Sequence, residues 1–132
     1  MVRQKEGLCP CESGQIYNKC CGPLLAGIAY ASTAEALMRS RYTAYIEENV
    51  NYLAQTWHPD YRPRSLEMSK DHKKCLGLKI KSVKGGETGA GKGVVEFVAR
   101  FKVGGKGHRL HEISQFVHEG GRWYYTSGET LD

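Results

Sequence analysis

The chain has 132 residues, 40% of them hydrophobic, and a formal net charge of +5, values that are typical of one soluble globular domain. No apolar run reaches the ~18 residues that a membrane-spanning helix needs, and the polar first residues do not match a secretion signal. We therefore expect a cytoplasmic protein, and in that reducing compartment clustered cysteines are more often metal ligands than disulfides. The basic residues are scattered along the chain, which argues against a nucleic-acid interface.

Four cysteines lie close together near the start of the chain: Cys9, Cys11, Cys20 and Cys21. Thiolate sulfurs at this spacing suit a tetrahedral Zn²⁺ ion, and Ser13 with Gly14 can reverse the chain between the two pairs. If all four positions around the metal are filled by protein sulfur, none is left for water or substrate. We therefore expect one structural zinc ion, with a redox role or an iron–sulfur cluster as the alternatives.

The cysteine segment is predicted to form a small unit of its own. Gly22 and Pro23 are a pair that stops regular structure, so we divide the chain into a zinc knuckle at residues 1–23 and an α+β domain at residues 24–132. Residues 24–31 are apolar. We expect this connector to lie against the main body, because exposing it to water would be costly.

Three helices are predicted after the connector. The first begins at Ser32, because Glu35 follows three residues later and the pair forms a capping box. Apolar residues then recur at helical spacing as far as Ile46, which places them on one face. A shorter helix is expected from about Asn51 to Trp57, and a third, brief one from Ser69 to Leu76.

From Leu78 onward the hydrophobic pattern changes from helical spacing to alternation. Val95, Phe97 and Ala99 share one face of a predicted strand, and glycine-rich turns divide the segment into consecutive strands. Helices followed by hairpin-linked strands predict an α+β fold, in which the helices pack on one face of an antiparallel sheet.

The segment from Cys9 to Gly22 resembles the SEC-C motif, the zinc knuckle found at the C-terminus of the SecA preprotein translocase. The cysteines match the motif in arrangement and spacing. Glu12 departs from it, because the motif usually has glycine at that position. We expect Glu12 to reshape the first turn and to leave the metal ligands intact.

The rest of the chain resembles the YchJ family of small bacterial SEC-C proteins. The resemblance rests on four segments spread over nearly the whole chain: Leu37–Tyr45, Thr56–Pro59, Val95–Phe101 and Gly121–Tyr125. It implies an NTF2-like cone, in which helices close a curved antiparallel sheet around a pocket. As far as the resemblance goes, the family has no assigned activity.

If the cone is correct, its pocket is expected to collect six polar and aromatic side chains: Arg41, Tyr45, Trp57, His58, Glu112 and Trp123. A histidine and a carboxylate beside aromatic walls have the composition of a general-base site. Structural packing is the alternative role for His58, Trp57 and Glu112. His111 and Glu112 are adjacent on a strand and point to opposite faces, so at most one of them faces the pocket.

The knuckle is predicted to present Ile16, Tyr17 and Lys19 between its two cysteine pairs. An apolar centre with a charged rim is typical of protein contact surfaces, although Ile16 and Tyr17 folding inward is an equal alternative. The main hypothesis is a non-enzymatic zinc-binding protein, whose knuckle contacts a protein partner and whose cone holds a small ligand or peptide. A small hydrolase or isomerase and a nucleic-acid-binding protein are the alternatives.

Overall fold

The structure, a computed structural model, describes residues 7–65 and 73–131. Helices occupy the first half of the described chain and strands the second, which is the order predicted for an α+β fold. The helical elements are a 3₁₀ helix at Tyr17–Lys19, α1 at Cys21–Leu25, α2 at Ala34–Glu47 and α3 at Val50–Gln55. Within the described ranges no helix is long and apolar enough to cross a membrane.

The strands form one antiparallel sheet in consecutive order, so the predicted meander is confirmed. They are β1 at Lys73–Gly85, β2 at Lys92–Val103, β3 at Lys106–Glu119 and β4 at Arg122–Leu131. Gly104 and Gly105 join β2 to β3 with φ angles of 57° and 82°, a conformation that glycine adopts without strain. The pairing of β1 with β2 has register shifts, such as the one between Cys75 and Gly77, and irregularities of this kind bend a strand locally.

Helix α2 is the central element, because it packs on the sheet and on the cysteine segment. It begins one residue later than predicted: the Thr33 hydroxyl, rather than Ser32, caps it by accepting a hydrogen bond from the Ala36 amide at 3.0 Å. Glu35 is therefore not part of a capping box with Ser32. It forms an ion pair with Arg39 at 3.0 Å instead.

One buried cluster joins the helices, the sheet and the cysteine segment. Its apolar members include Leu37 from α2 and Val95 from β2, which are 2% and 0% exposed. The cysteine segment contributes Cys9, Cys11, Tyr17 and Cys21 to the same cluster. The knuckle is therefore built onto the α+β core.

Two local predictions near the knuckle differ from the structure. Gly22 and Pro23 do not stop regular structure but lie inside α1, since proline is tolerated in the first turn of a helix, where its missing amide has no partner. The connector packs only at its start: Leu24 and Leu25 are partly buried, whereas Ile28 is 80% exposed.

Two later helix predictions also change. The short helix is Val50–Gln55, because Asn49 caps it through a 3.0 Å hydrogen bond from the Tyr52 amide. The third helix was expected from Ser69 to Leu76. Residues 69–72 lie outside the described residues, and residues 73–76 belong to β1, where pairing with β2 overrides local helical preference.

Candidate metal centre and pocket

Four sulfur atoms converge in the knuckle, all within 4.8 Å of one another: those of Cys9, Cys11, Cys20 and Cys21. A tetrahedral ion with metal–sulfur bonds of ~2.3 Å would hold its sulfurs about 3.8 Å apart. The observed separation is 3.5 Å between Cys11 and Cys20 and 4.0 Å between Cys20 and Cys21. The four residues therefore fit a closed, four-sulfur metal site.

Local backbone structure brings the two cysteine pairs together. Leu8 pairs with Ile16 in a short antiparallel bridge, and the Cys9 amide donates to the Gln15 carbonyl at 2.8 Å. Gly14 reverses the chain between them with a φ of 90°, as its position predicts. The second pair is held at the start of α1.

The four sulfurs are close enough to perturb one another's pKa values. Hydrogen bonds from Cys21 and Cys9 lower the pKa of Cys11, and the contact with Cys11 raises the pKa of Cys21. Burial raises the pKa of Cys20 to about 11. Sulfurs this close cannot all be thiolates unless a positive ion lies among them, because like charges at such distances repel strongly.

Two hydroxyl groups form a second layer around the sulfurs. The Ser13 oxygen lies 3.1 Å from the Cys20 sulfur, and the fully buried Thr43 hydroxyl donates to the Cys21 sulfur at 3.4 Å. Hydrogen bonds of this kind orient metal ligands and stabilise their thiolate form. Thr43 belongs to α2, so the main domain supplies part of the environment of the cluster.

Glu12 attaches the knuckle to the sheet. Its backbone has a φ of 63°, in the left-handed region that glycine favours, which explains why the SEC-C motif usually has glycine there. Its carboxylate accepts a hydrogen bond from the Leu78 amide at 2.8 Å. Since β1 is an edge strand, Glu12 covers a backbone group that no neighbouring strand could pair.

Helix α2 attaches the knuckle at two further points. Arg39 donates to the Cys11 carbonyl at 2.6 Å, and Tyr17 donates its hydroxyl proton to Glu47 at 2.7 Å. Burial and the hydrogen bond to Glu47 raise the pKa of Tyr17 above its ordinary range. Tyr17 is only 8% exposed, so it folds inward, which was the alternative given equal weight with an outward-facing apolar centre. Ile16, 38% exposed, and the exposed Lys19 do lie outside.

The second site is a cavity of about 280 Å³ between α2 and the sheet. Four of the six predicted pocket residues line it: Arg41, Tyr45, Trp57 and Glu112. The apolar wall consists of Met38, Phe97, Ala99, Phe101, Leu110 and Phe116. The site is therefore a mainly apolar pocket with a few polar groups, which is the usual composition of a small-molecule site.

Arg41 is the buried cation of the pocket, 6% exposed. Its Nη1 atom donates to the Leu53 carbonyl at 2.8 Å and to the Thr56 hydroxyl at 2.7 Å. The guanidinium lies 4.6 Å from the ring centre of Tyr125 and 5.4 Å from that of Trp57, within range of cation–π attraction. Burial lowers the pKa of Arg41, because desolvation disfavours the charged form.

Glu112 provides the carboxylate of the pocket, and its Oε2 atom accepts a hydrogen bond from Ser114 at 2.8 Å. Burial, followed by the nearby charge of Glu112, raises the pKa of Tyr125 to about 12. His111 faces the other side of the sheet, where its Nε2 lies 2.6 Å from Glu96 and lowers the pKa of that carboxyl. The prediction that at most one of His111 and Glu112 faces the pocket is confirmed.

His58 and Trp123 were predicted in the pocket but do not line it. His58 is buried elsewhere: its Nδ1 accepts from the Asp60 amide, so Nε2 carries the proton that bonds Glu119 at 2.9 Å. Trp123 donates its indole proton to the Ser32 carbonyl at 3.2 Å. Both side chains therefore have packing roles, which was the alternative weighed for His58.

Ser114 and Phe116 are among the lining residues that sequence reasoning missed. They follow Glu112 at intervals of two along β3. Strand alternation could have found them, because residues separated by two share one face of a sheet.

Comparisons with known proteins agree with this architecture. A family model described as the YchJ middle NTF2-like domain matches residues 33–128. A UPF0225 protein from Chromobacterium violaceum is 49% identical over 96% of this chain and 95% of its own length. One from Bordetella pertussis is 48% identical over 92% and 91%.

Two solved structures have the same fold. The solution structure of a SEC-C motif containing protein from Rhodopseudomonas palustris is 40% identical, with a TM-score of 0.82, and the match covers 94% of this chain and 98% of the other. The crystal structure of a SEC-C motif containing protein from Psychrobacter arcticus is 25% identical, with a TM-score of 0.77 and coverage of 100% and 86%.

Proposed function

The chain belongs to the YchJ-like family of SEC-C motif proteins, and from this premise we propose that it is a zinc-binding protein that holds a small ligand in its NTF2-like domain. The observation that carries the proposal is the juxtaposition of a four-sulfur cluster and a mainly apolar cavity on one helix, α2. The zinc ion holds the knuckle in place. The cavity is the binding site.

The zinc has a structural role in this proposal. All four ligands come from cysteines, so no open position remains for substrate or water. The knuckle has few apolar side chains of its own, and metal binding supplies the free energy that orders such small units. The bonds from Thr43 to Cys21 and from Arg39 to Cys11 support the same role, since they link the site to α2.

Metal analysis of the purified chain tests the zinc proposal. We expect one zinc per chain in the wild type and in Cys75→Ser, which removes the fifth cysteine as a matched control. Cys20→Ser should lose the metal. Iron with visible absorption, or a Cys20→Ser variant that keeps a full equivalent of zinc, would contradict the proposal.

Ligand binding is supported by the size and lining of the cavity. Its volume of about 280 Å³ is close to the lower end of small-molecule sites, roughly 300 Å³. Ala99 lines the cavity and is 7% exposed. Ala99→Leu should fill part of the cavity and weaken the binding of small aromatic fragments, as followed by NMR titration. The same change at the exposed Ala29, which lies outside this cavity, is the control. Fragments that bind both variants equally would place binding elsewhere.

A protein contact through the knuckle is the second candidate. The Leu8–Ile16 bridge leaves both side chains outside, 70% and 38% exposed, close in sequence to the exposed Lys19. Ile16→Ser combined with Lys19→Glu should abolish capture of a specific partner from cell extract while the zinc content stays unchanged. Ile28→Ser, at another exposed apolar residue, is the control. Equal capture by all variants would eliminate this candidate.

A further inference from the structure

We propose that the pocket recognises a small apolar monocarboxylate, whose carboxylate is bound by the free edge of the Arg41 guanidinium. This inference rests on the proposed ligand-binding function and names the chemical class of the ligand. It depends on the geometry of Arg41, on the position of Glu112 and on the apolar wall between them.

Arg41 has hydrogen-bonding capacity left over. Both of its hydrogen bonds to described residues are donated by Nη1. The other edge of the guanidinium, formed by Nε and Nη2, is therefore available to bond a ligand. In the described part of the chain no buried side-chain nitrogen lacks a partner, so these two atoms must be reachable by solvent. The Arg41 side chain borders the cavity, which offers a route by which a ligand can reach the free edge.

The guanidinium is also held in a fixed orientation. Nη1 is bonded on one side by Leu53 and Thr56, and the rings of Trp57 and Tyr125 flank the group. A guanidinium edge offers two parallel N–H groups, which match the two oxygens of a carboxylate. Because the edge is positioned before binding, little side-chain freedom is lost when the anion arrives.

The charge of Arg41 has no close counter-ion in the protein. Among residues 7–65 and 73–131, no carboxylate lies within 4.0 Å of this guanidinium. The hydrogen bonds and ring contacts of Arg41 offset only part of the cost of burying its charge, and an anionic ligand in direct contact would offset more of it. The pocket therefore has a reason to select an anion over a neutral molecule of the same shape.

Glu112 limits the ligand to a single negative charge. Its carboxylate borders the same cavity but is bonded by Ser114 rather than by Arg41. A dianion, such as a phosphate monoester or a dicarboxylate, would bring a second charge into a small cavity that already contains one. A monocarboxylate meets Arg41 and suffers less repulsion from Glu112.

The apolar wall and the volume define the rest of the ligand. Phe97, Phe116 and Leu110 border the cavity, so the body of the ligand should be aromatic or branched aliphatic. A cavity of roughly 150 Å³ is enough to hold benzene. The volume of about 280 Å³ leaves room for one ring with a short acidic side chain.

The test compares three probes of similar shape on the full, zinc-loaded chain: phenylacetate, phenylacetamide and benzylphosphonate. Binding is followed by NMR titration, with the indole signals of Trp57 and Trp123 as reporters inside and outside the pocket. We expect phenylacetate to bind about tenfold more tightly than the amide, since two charge-assisted hydrogen bonds replace weaker neutral ones. The phosphonate should bind less tightly than phenylacetate.

Three variants separate the roles of the charges. Arg41→Lys keeps the positive charge but removes the two parallel N–H groups of the guanidinium edge. It should therefore abolish most of the preference for the acid over the amide. Arg109→Lys makes the same change at an exposed arginine that does not line the cavity and should leave the preference unchanged. Glu112→Gln should strengthen phenylacetate binding several-fold, because it removes a like charge. If Arg41→Lys does not fold, the wild-type probe series and Glu112→Gln still decide the question.

The outcomes distinguish this inference from the proposed function. If the amide binds as tightly as the acid, carboxylate recognition is wrong while ligand binding stands. If none of the three probes and no aromatic fragment shifts the Trp57 indole signal, the proposed ligand-binding function is wrong. An acid preference that survives Arg41→Lys, or weaker acid binding by Glu112→Gln, would also overturn the inference.

Discussion

The contact between Glu12 and the sheet allows a sharp test of how the knuckle is held. Glu12 adopts a backbone conformation that suits glycine, with a φ of 63°, and its carboxylate bonds the Leu78 amide at 2.8 Å. The carboxylate lies directly over Gly77, where a Cβ would come within 2.9 Å of Oε2. Substitution at position 12 can therefore separate the backbone strain from the hydrogen bond.

The two effects have opposite signs. A hydrogen bond to a charged acceptor contributes about 1.5–3 kcal/mol, and because Glu12 is exposed we take the low end, about 1.5 kcal/mol. The left-handed conformation costs a non-glycine residue about 1–2 kcal/mol. Glu12→Ala loses the bond and keeps the strain, so we expect a loss of about 1.5 kcal/mol. Glu12→Gly loses the bond but relieves the strain, so the net loss should be about 0.5 kcal/mol or less.

The assay is urea denaturation of the zinc-loaded chain, with hydrogen exchange of the Leu78 amide as a local readout. The expected order of stability is wild type, then Glu12→Gly, then Glu12→Ala, and the Leu78 amide should exchange faster in both variants. Glu12→Gln keeps a neutral acceptor and should fall between wild type and Glu12→Ala. An alanine variant as stable as wild type would show that the bond contributes nothing. A glycine variant less stable than the alanine variant would refute the strain argument.

Two further predictions follow from the buried groups around α2. Burial raises the pKa of Tyr125 to about 12 from an ordinary value of about 10. At a pH between these values the folded chain keeps a proton that the unfolded chain has lost. The free energy of unfolding therefore falls as the pH rises through this range. Tyr125→Phe should reduce that fall, measured as the difference in unfolding free energy between about pH 9 and pH 11.5. Thr43→Val removes the hydroxyl that bonds the Cys21 sulfur and should weaken metal binding about tenfold in competition with a chelator. Thr43→Ser, which keeps the hydroxyl, should bind metal nearly as well as wild type.

The alternation pattern predicted the sheet well because it reports burial directly. Val95, Phe97 and Ala99 were assigned to one face, and all three are buried. The strands pair in consecutive order because short glycine-containing turns join them, and a short turn favours antiparallel pairing of the two strands that it connects. Sequence is sufficient to predict a strand where its local hydrophobic pattern agrees with the way in which it packs in the fold.

The sequence could not place His58, because its direction is decided by a contact far away in the chain. Trp57 pairs with Tyr125 in a parallel bridge, and the His58 amide donates to the Tyr125 carbonyl at 2.8 Å. Neighbours in an extended segment point to opposite sides, so Trp57 enters the pocket and His58 turns away toward Glu119. Nothing in the local sequence specifies that pairing.

Tyr17 illustrates the same limit within the knuckle. The cysteine spacing predicts the metal site, since it acts over a few residues. Whether Tyr17 faces in or out depends on Glu47, thirty residues further along the chain. The sequence of a short motif is enough to predict its metal ligands, but it does not show which part of the domain the motif packs against.

Helix α2 connects the two sites through simple geometry. Arg39 and Thr43 are four residues apart and contact the knuckle, while Arg41 and Tyr45, also four apart, border the cavity. Two residues correspond to about 200° around a helix, so these pairs lie on nearly opposite faces. The knuckle therefore fixes the position of the helix that carries the Arg41 guanidinium. Since the cavity lies between that helix and the sheet, a shift of α2 would change its width and the direction of the free guanidinium edge. The four-cysteine cluster in this sense helps to shape the pocket, even though none of its cysteines borders it.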